Sequence, residues 1–427
     1  MAKTTTNSEA VPGENERFEK LGHNCYAYSA DGCSNTGVVI GDKGVLIVDA
    51  QATPEHAQRV LAKLRDISDT PVKQVVLTHF HADNSLGAHA FEPSEIIASD
   101  LTRRMMDTRG RDEISVSKQR SAALLSSVPD NVELSEPSMT IASSMTIDLG
   151  GLEVRLMHLG RGHTMGDMVV WVPESGVIFA GDLVQETAAP YCGDAHLADW
   201  PRALDRIAAF RPNALMPGRG RSALDAAAVT SAVENTREYI TLLRDAAEAC
   251  VEQSLGLKDT FNAVQDALAP RFGSKTDFEG TLPFNVARAY DEALGLDQPQ
   301  VWTLERVADL QDALNGIAPV GHEDVSTQPE EVISEEAVVE DQAAEEIEAN
   351  EDTGDLVSES EFAASLVLDE GAELEDEAAA PEDEMALDLS ADDIVEPEQG
   401  EPEVSGEAND DEVTDGLEEK VLEDARY

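Results

Sequence analysis

Residues 77–85, with the sequence LTHFHADNS, are the stretch on which the predicted fold of this chain depends. They overlap an apolar run, KQVVLTH, whose length is typical of a buried strand. His79, His81 and Asp83 occupy alternate positions, and alternate residues of an extended loop point the same way. Because histidine and aspartate are common zinc ligands, the stretch predicts a strand that ends by aiming His79 and His81 at one cation, while Asp83 reaches that cation or a neighbouring one. An HxH pair alone is too common to identify a function, so the rest of the chain must decide.

Two further candidate ligands follow other predicted strands. His163 lies in LGRGHTMGD after the strand-like segment EVRLMH, and Asp182 ends GVIFAGD, the second half of a predicted hairpin. The earlier segments NCYAYSA, NTGVVIG and GVLIVDA also predict short strands, and Pro54 opens a predicted helix before KQVVLTH. Two strand-rich halves with interspersed helices predict an α/β sandwich whose loops, where such folds place their chemistry, meet at one edge.

A helical region follows Gly220. Seven mostly apolar residues recur at steps of three and four over about 25 residues, and they predict one face of a long helix. They are Val229, Val233, Thr236, Ile240, Leu243, Ala247 and Cys250. This face suits either packing against the sandwich or the seam of a coiled-coil homodimer, and the sequence leaves both open. FNAVQDALAPRFG and ERVADLQDALNGI predict two more helices.

Charge divides the chain into unlike parts. It has 427 residues with 86 Asp and Glu against 30 Lys and Arg, and 41 of those acids lie in residues 322–427 beside two basic residues. A segment so acidic and so poor in aromatic residues cannot bury enough apolar surface to fold. The sequence therefore predicts a flexible N-terminus at 1–19, the sandwich domain at 20–222, a helical extension at 223–318 and a disordered acidic tail at 319–427. The partner of the tail is unknown.

The same composition argues against several classes of partner. An acidic protein lacks the Lys and Arg clusters that nucleic-acid phosphates require, so we expect no nucleic-acid partner. The sequence contains no run of 18 uncharged apolar residues, and its beginning lacks the apolar core of a signal peptide, so we expect no membrane partner. We therefore expect a cytoplasmic protein in which Cys25, Cys33, Cys192 and Cys250 are free thiols.

Five segments, taken in order, resemble the signature segments of the metallo-β-lactamase superfamily. They are LIVDA, THFHADN, GHTMGD, IFAGD and MPGRG. The resemblance covers residues 20–222, and the HxHxDN, GRGHT and PGRG forms are similar to a bacterial branch of that superfamily. It implies an αββα sandwich, here followed by the helical extension, in which Asp49 is a structural acid that supports the histidine loop.

The resemblance also implies a set of metal ligands. His79, His81 and His163 match the three histidines of the first zinc site, which keeps an open fourth position for water. Asp83 matches the aspartate of the second site, and Asp182 matches the aspartate that bridges both metals in dinuclear members. A small molecule is the kind of substrate that such a site implies.

Two residues depart from the pattern of the superfamily. Asn84 stands where many members have the second-site histidine, and Arg219 replaces the histidine of PGHG. A guanidinium can bridge two carboxylates, so we expect Arg219 to take the electrostatic place of a second metal between Asp83 and Asp182. We therefore expect one metal ion per chain. Asp83, Arg219 and Asn84 are the predicted catalytic residues: Asp83 orients and deprotonates the water, and the other two bind a substrate carboxylate or the developing oxyanion.

Three functions remain open from the sequence. A mononuclear Zn²⁺ hydrolase would direct a metal-bound hydroxide at an ester, thioester, lactone or amide bond. An Fe²⁺ ion held by His79, His163 and Asp182 would resemble the persulfide dioxygenases of the same superfamily. A non-catalytic binding protein would keep the fold and use its acidic tail and helical extension for partners.

Three other residues near these motifs receive structural roles. We expect His196 to be a surface or loop histidine rather than one that lines the pocket, and His158 to lie in the core or behind the ligands. We expect Cys192 to be an unreactive loop thiol, because no charged neighbour in the sequence would activate it.

Overall fold

Two β-sheets packed face to face form the centre of the fold. The computed structural model describes residues 13–317, so the predictions for residues 1–12 and for the tail at 319–427 lie outside the described residues. Within that range the larger sheet has seven strands in chain order, antiparallel from β1 to β4 and parallel from β4 to β7. They are β1 (Arg17–Gly22), β2 (Cys25–Ser29), β3 (Thr36–Ile40), β4 (Val45–Val48), β5 (Val72–Val76), β6 (Glu95–Ser99) and β7 (Met139–Ile141).

The smaller sheet has five strands between residues 13 and 317. They are β8 (Ser144–Asp148), β9 (Glu153–His158), β10 (Met168–Val172), β11 (Val177–Phe179) and β12 (Ala214–Met216). Their order in the sheet is β12-β11-β10-β9-β8, and the pairs are antiparallel except for β11 with β12. Val170 of β10 lies opposite Phe179 of β11, which confirms the hairpin that the sequence predicts.

Helices cover the outer faces of both sheets. In the part of the chain that the structure describes they are α1 (Pro54–Arg65), α2 (Ala82–Ser85), α3 (Asp100–Arg120), α4 (Ala122–Leu125), α5 (Trp200–Ala209), α6 (Ala226–Glu252), α7 (Leu257–Phe272), α8 (Phe278–Ala293) and α9 (Leu304–Asn315). Apolar residues of α1 and α3 pack on the larger sheet, and those of α5 to α8 pack on the smaller one. The arrangement confirms the αββα sandwich with a C-terminal helical region.

The two sheets approach each other closely through buried side chains. Val48 and Val76 of the larger sheet share a core cluster with Val170 and Phe179 of the smaller sheet. Gly37 permits this approach, since a Cβ at that position would lie 2.4 Å from the ring of Phe179. Each buried side chain of this size stabilises the fold by about 1.5–3 kcal/mol. The packing thereby fixes the strand ends from which the loops of the candidate site emerge.

Four helices of the described range begin at residues whose side chains cap them. Each cap accepts a hydrogen bond from the backbone N–H three residues further on, and the caps of α1, α3, α6 and α9 are Thr53, Ser99, Asp225 and Thr303. The cap at Thr53 confirms the predicted start of α1, and α3 continues as far as Arg120. Of the helices in the described range, none is both long and apolar enough to cross a membrane.

The apolar face of α6 is covered by the chain itself. The seven residues that predicted this face are all buried, and the cluster to which most of them belong includes residues of α5, α7 and α8. Of the two alternatives that the sequence leaves open, the face therefore takes the first, packing within the protein. The same side chains are not accessible for a coiled-coil seam, so a homodimer through the helical extension would need another surface.

The first strand lies partly within the segment that the sequence predicts to be flexible. Arg17 and the following residues of the predicted flexible N-terminus form β1, which pairs with β2, and Phe18 stacks on Tyr26 with 5.5 Å between ring centroids. β1 is an edge strand whose residues are only partly buried, and its sequence RFEKLG carries charges between apolar residues. Such a strand lacks the apolar run on which the sequence prediction relies.

Candidate metal centre

Loops that follow four strands of the two sheets meet at one edge of the sandwich. Asp49 follows β4, the histidine loop (residues 78–81) follows β5, Asp182 follows β11, and Arg219 follows β12. Within each sheet the two strands concerned are parallel neighbours, so their carboxyl ends lie side by side. The sequence prediction that the candidate residues share one edge is confirmed.

Three histidines converge in a buried group at this edge. His79, His81 and His163 are each at most 2% exposed, and their candidate ligand atoms all lie within 4.8 Å of one another. His81 Nδ1 lies 2.9 Å from His163 Nε2, and His79 Nε2 has no hydrogen-bond partner within the described chain. The three residues of the predicted first zinc site are therefore brought together.

The other ring nitrogen of each histidine contacts an oxygen atom. His163 Nδ1 donates to the backbone carbonyl of Tyr191 at 2.9 Å, and His81 Nε2 lies 3.2 Å from an Asp194 carboxylate oxygen. His79 Nδ1 lies 2.9 Å from the hydroxyl of Thr78, which itself donates to a carboxylate oxygen of Asp49. With their hydrogens directed outward, the three imidazoles present lone pairs to one point. Metal-ligating histidines are held in this way.

Electrostatics favour a cation at that point. Burial, and next the charge of neighbouring imidazoles, holds the pKa of His79 and of His163 well below the usual histidine range. Both rings are therefore neutral, which is the form that binds metals. The two ring nitrogens that lie 2.9 Å apart belong to His81 and His163. Burial opposes protonation of His81, but the charges of Glu113 and Asp194 outweigh it and raise the pKa of His81. Either a proton or a cation can therefore lie between the two nitrogens. The donor set and its burial therefore fit a divalent transition metal such as zinc.

A compact loop holds His163 in place. The backbone N–H of Thr164 donates to both carboxylate oxygens of Asp167, at 3.0 and 2.9 Å, and the Thr164 hydroxyl donates to the same group at 2.6 Å. Gly162 donates to the carbonyl of Thr164 at 2.9 Å and closes the turn around His163. His158, at the end of β9, places Nδ1 2.8 Å from the Asp167 carbonyl, as expected for a residue behind the ligands.

Asp83 does not join the three histidines, and it forms the ion pair with Arg219 that the sequence predicts. Alternate positions on an extended loop would aim it with His79 and His81, but the chain turns into the short helix α2 directly after His81. Asp83 therefore lies outside the group of three histidines and forms a buried ion pair with Arg219. Burial opposes ionisation of Asp83, but the charge of Arg219 outweighs it and holds the pKa of Asp83 well below its usual range.

Arg219 forms one of the two ion pairs that the sequence predicts for it. Within 4.0 Å and among the described residues, its ion pair is with Asp83 alone, whereas the sequence predicts a bridge to Asp182 as well. Asp182 instead places a carboxylate oxygen 3.8 Å from His163 Nε2. Gly218 allows Asp182 to approach, because a Cβ there would lie 2.0 Å from an Asp182 carboxylate oxygen.

Asn84 lies between two carboxylates. Its amide nitrogen donates to Asp49 at 3.3 Å and to Asp182 at 3.4 Å, and its amide oxygen accepts from the hydroxyl of Ser34 at 2.9 Å. The side chain is fully buried. Its hydrogens are thus engaged with protein acids, rather than free to reach a substrate oxygen as the sequence interpretation has it.

Residues of α3 contribute to the site, and the sequence interpretation missed them. Arg109, Glu113, Ser117 and Arg120 follow one another at steps of four and three, so they share one face of the helix. Arg109 lies 3.2 Å from Asp194, and Glu113 accepts from the hydroxyl of Ser117 at 2.7 Å. The helical spacing of these polar residues within α3 is a signal that could have indicated them. Asp194 lies in a loop, where the sequence has no such periodic signal.

Two residues considered in the sequence lie behind the site. His196 is in a loop, one of the two positions expected for it, and it is 2% exposed. Neither of its ring nitrogens has a partner among the described residues. Burial, and then the charges of Arg161 and Arg288, lowers the pKa of His196 to about 4. Cys192 is buried, and burial raises the pKa of its thiol well above the usual range, which agrees with an unreactive cysteine.

Comparisons with known proteins point to one family. The model of the metallo-beta-lactamase superfamily matches residues 31–219. The chain is 23% identical over 318 residues to the linear primary-alkylsulfatase of a Pseudomonas species, covering 66% of this chain and 60% of that enzyme. It is 24% identical over 194 residues to the metallo-beta-lactamase type 2 of Bacteroides fragilis, covering 44% of this chain and 69% of that enzyme.

A solved structure is also similar. The metallo-beta-lactamase from Pontibacter korlensis shares 22% identity with a TM-score of 0.41, and the match covers 53% of this chain and 99% of that one. The alkylsulfatase is longer than the matched region, since the chain spans 60% of its length. The family match coincides with the sandwich that carries the three histidines, so residues 31–219 of this chain are similar to the metallo-β-lactamase superfamily.

Proposed function

We propose that this protein is a metal-dependent hydrolase that holds one divalent ion, zinc, on His79, His81 and His163. The convergence of three buried imidazoles, each with its other nitrogen against an oxygen, carries the proposal. A zinc ion bound there would supply a Lewis acid that lowers the pKa of water and polarises a substrate oxygen. The reaction is hydrolysis of an ester, thioester, lactone or amide bond in a small molecule.

Asp83 orients the attacking water in this proposal. Its carboxylate lines the same cavity as His81 and His163, and the charge of Arg219 keeps it ionised. An ionised carboxylate accepts a hydrogen bond from water, but a pKa so far below the ordinary range makes it a weak base. We therefore assign Asp83 to positioning the water first and to accepting its proton second.

One metal ion, rather than two, is the second part of the proposal. The ion pair between Asp83 and Arg219 occupies the acid that would bind a second ion, and it brings a permanent positive charge beside it. Asn84 offers a neutral amide where many relatives have histidine, and its nitrogen already faces Asp49 and Asp182. A second cation would have to displace Arg219 and face a poor ligand set.

The iron alternative has less support from the geometry. The three histidines place candidate ligand atoms within 4.8 Å of one another, whereas Asp182 belongs to no such group among the described residues. The approach of Asp182 to His163, at 3.8 Å, is the observation in its favour. We therefore propose zinc on three histidines, with Asp182 beside the ion. The lack of a nucleic-acid partner stays a proposal that rests on the acidic composition. The cytoplasmic location stays a proposal as well.

Hydrolysis by the full chain tests the proposal. The purified protein, stripped of metal and reloaded with zinc, is assayed against 4-nitrophenyl acetate, a thioester and a lactone. We expect turnover that requires zinc and is lost in His79→Ala and His163→Ala, while the exposed His89→Ala retains it. Turnover that survives removal of the metal, or that is equal in all three variants, would contradict the proposal.

A further inference from the structure

Arg120, at the end of α3, has a guanidinium nitrogen without a partner. Its Nη1 is buried and, within the described residues, forms no hydrogen bond, while Nη2 donates to the Ser117 hydroxyl at 3.2 Å. Arginine offers five N–H donors and no acceptor, so only an acceptor from elsewhere can satisfy Nη1. Leaving such a group buried and unpaired is costly, which makes it a candidate for binding a ligand.

The side chain faces the same cavity as the candidate metal ligands. Arg120 lines this cavity together with His81, His163, Asp83 and Arg219. A ligand atom that reaches its Nη1 would therefore belong to a molecule that also lies beside the histidines.

Tyr191 connects Arg120 to the histidines. The guanidinium carbon lies 3.8 Å from the centroid of the Tyr191 ring, a cation–π contact that holds the planar group against the ring. The same ring lies 5.4 Å from the ring of His81, and the Tyr191 carbonyl accepts the hydrogen bond of His163. The position of Arg120 is thus fixed relative to two of the three proposed ligands.

The charge of Arg120 is not neutralised by a close acid. Among the described residues it forms no ion pair within 4.0 Å, whereas Arg219 in the same cavity is paired with Asp83. The acid on its own helix, Glu113, accepts from the backbone N–H of Ala82 at 3.2 Å and from the hydroxyl of Ser117 at 2.7 Å. Arg120 therefore presents a positive charge to the cavity.

We propose that Arg120 binds an oxyanion of the substrate, a carboxylate or a sulfate group, and so selects anionic substrates for this site. The planar guanidinium matches such groups, and a charge-assisted hydrogen bond is stronger than one to a neutral carbonyl. The inference rests on the proposed hydrolase function, because it names the class of molecule on which that function acts. The oxyanion that Arg120 binds is a part of the substrate distinct from the bond that is cleaved.

A pair of esters tests the assignment in the zinc-loaded full chain. 4-Nitrophenyl acetate is neutral, and mono-4-nitrophenyl glutarate carries a carboxylate. In Arg120→Gln we expect kcat/KM to fall by about tenfold or more for the glutarate and to stay within about twofold for the acetate. The matched control is Arg111→Gln, which removes the same charge from an exposed position of α3 and should change neither value. If Arg120→Gln does not fold, Arg120→Lys should show a smaller loss confined to the glutarate.

A binding measurement separates the subsite from the hydrolase. Calorimetry of the zinc-loaded wild type and Arg120→Gln with monomethyl glutarate and with methyl sulfate reports binding without turnover, and the tighter probe identifies the anion. Probe binding to the wild type that is lost in Arg120→Gln supports the oxyanion subsite even if neither ester is hydrolysed. The absence of ester hydrolysis would count against the proposed hydrolase function alone. An equal fall for both esters, or no fall for either, would overturn the proposal. Probe binding that is absent from the wild type, or that is unchanged in Arg120→Gln, would overturn it as well.

Discussion

Replacement of Arg219 by glutamine should destabilise the protein because it strips a buried carboxylate of its partner. The side chains of Arg219 and Asp83 are 16% and 6% exposed, so this ion pair is shielded from water. Removal of one partner of a buried pair costs about 3–5 kcal/mol, since the remaining charge has lost its compensation. Because Arg219 keeps some exposure, we expect the lower end, about 3 kcal/mol, in Arg219→Gln.

Urea unfolding of the metal-free full chain, followed by circular dichroism, measures this loss. The control is Arg111→Gln, whose partner Glu133 lies 3.7 Å away with both side chains largely exposed. Exposed pairs contribute little, so this variant should stay within about 0.5 kcal/mol of the wild type. The double variant Asp83→Asn with Arg219→Gln should recover most of the loss, because no uncompensated charge remains.

Two results would refute this reasoning. A loss below about 1 kcal/mol in Arg219→Gln would mean that water or other groups already compensate Asp83. A double variant no more stable than the single one would mean that the loss comes from packing rather than charge.

Three further changes probe other parts of the site. Asp194→Ala removes the acceptor of His81 Nε2 and should weaken zinc binding by about 10–100-fold, measured by competition with a chelating dye. The pKa of His196 is about 4 in the folded chain and about 6.5 in the unfolded chain. The free energy of unfolding of the wild type should therefore be unaffected by His196 above pH 6.5 and should fall by up to about 3 kcal/mol toward pH 4. Urea-unfolding curves of His196→Gln should lack this loss. Gly218→Ala places a Cβ 2.0 Å from an Asp182 oxygen and should cost about 1–3 kcal/mol in the same unfolding assay.

Each of these changes has a control in the chain. Asp205→Ala removes a largely exposed acid and should leave zinc affinity unchanged. His89→Gln, at an exposed histidine, should keep the pH dependence of the wild type. Gly280→Ala adds a methyl group where no atom lies within 4 Å and should be neutral or stabilising. A variant that behaves like its control would contradict the contact assigned to it.

The sandwich was predictable because its central strands are local patterns. β4 and β5 are short apolar runs bounded by turns, and the caps at Thr53 and Ser99 mark the helices beside them. β1 was missed because an edge strand with exposed charges has no such pattern. The local rule likewise failed at Asp83, where α2 replaces the extended loop and redirects the side chain.

The residues of the candidate site that lie within sequence motifs were predictable, and those outside the motifs were not. The three histidines and Asp182 follow strand ends within recognisable segments, and the structure brings them to one edge. Asp194 and Arg120 belong to no motif, and they reach the histidines through packing of distant segments. Contacts of this kind depend on tertiary structure, so spacing along the chain cannot supply them.

The number of zinc ions per chain tests the central claim most directly. Elemental analysis of the purified full chain, after loading with zinc and removal of loosely bound ions, should find one zinc per chain in the wild type and none in His79→Ala or His163→Ala. The ion pair of Arg219 with Asp83 is the reason to expect one rather than two. Two tightly held ions per chain in the wild type, or one that survives loss of either histidine, would contradict the account.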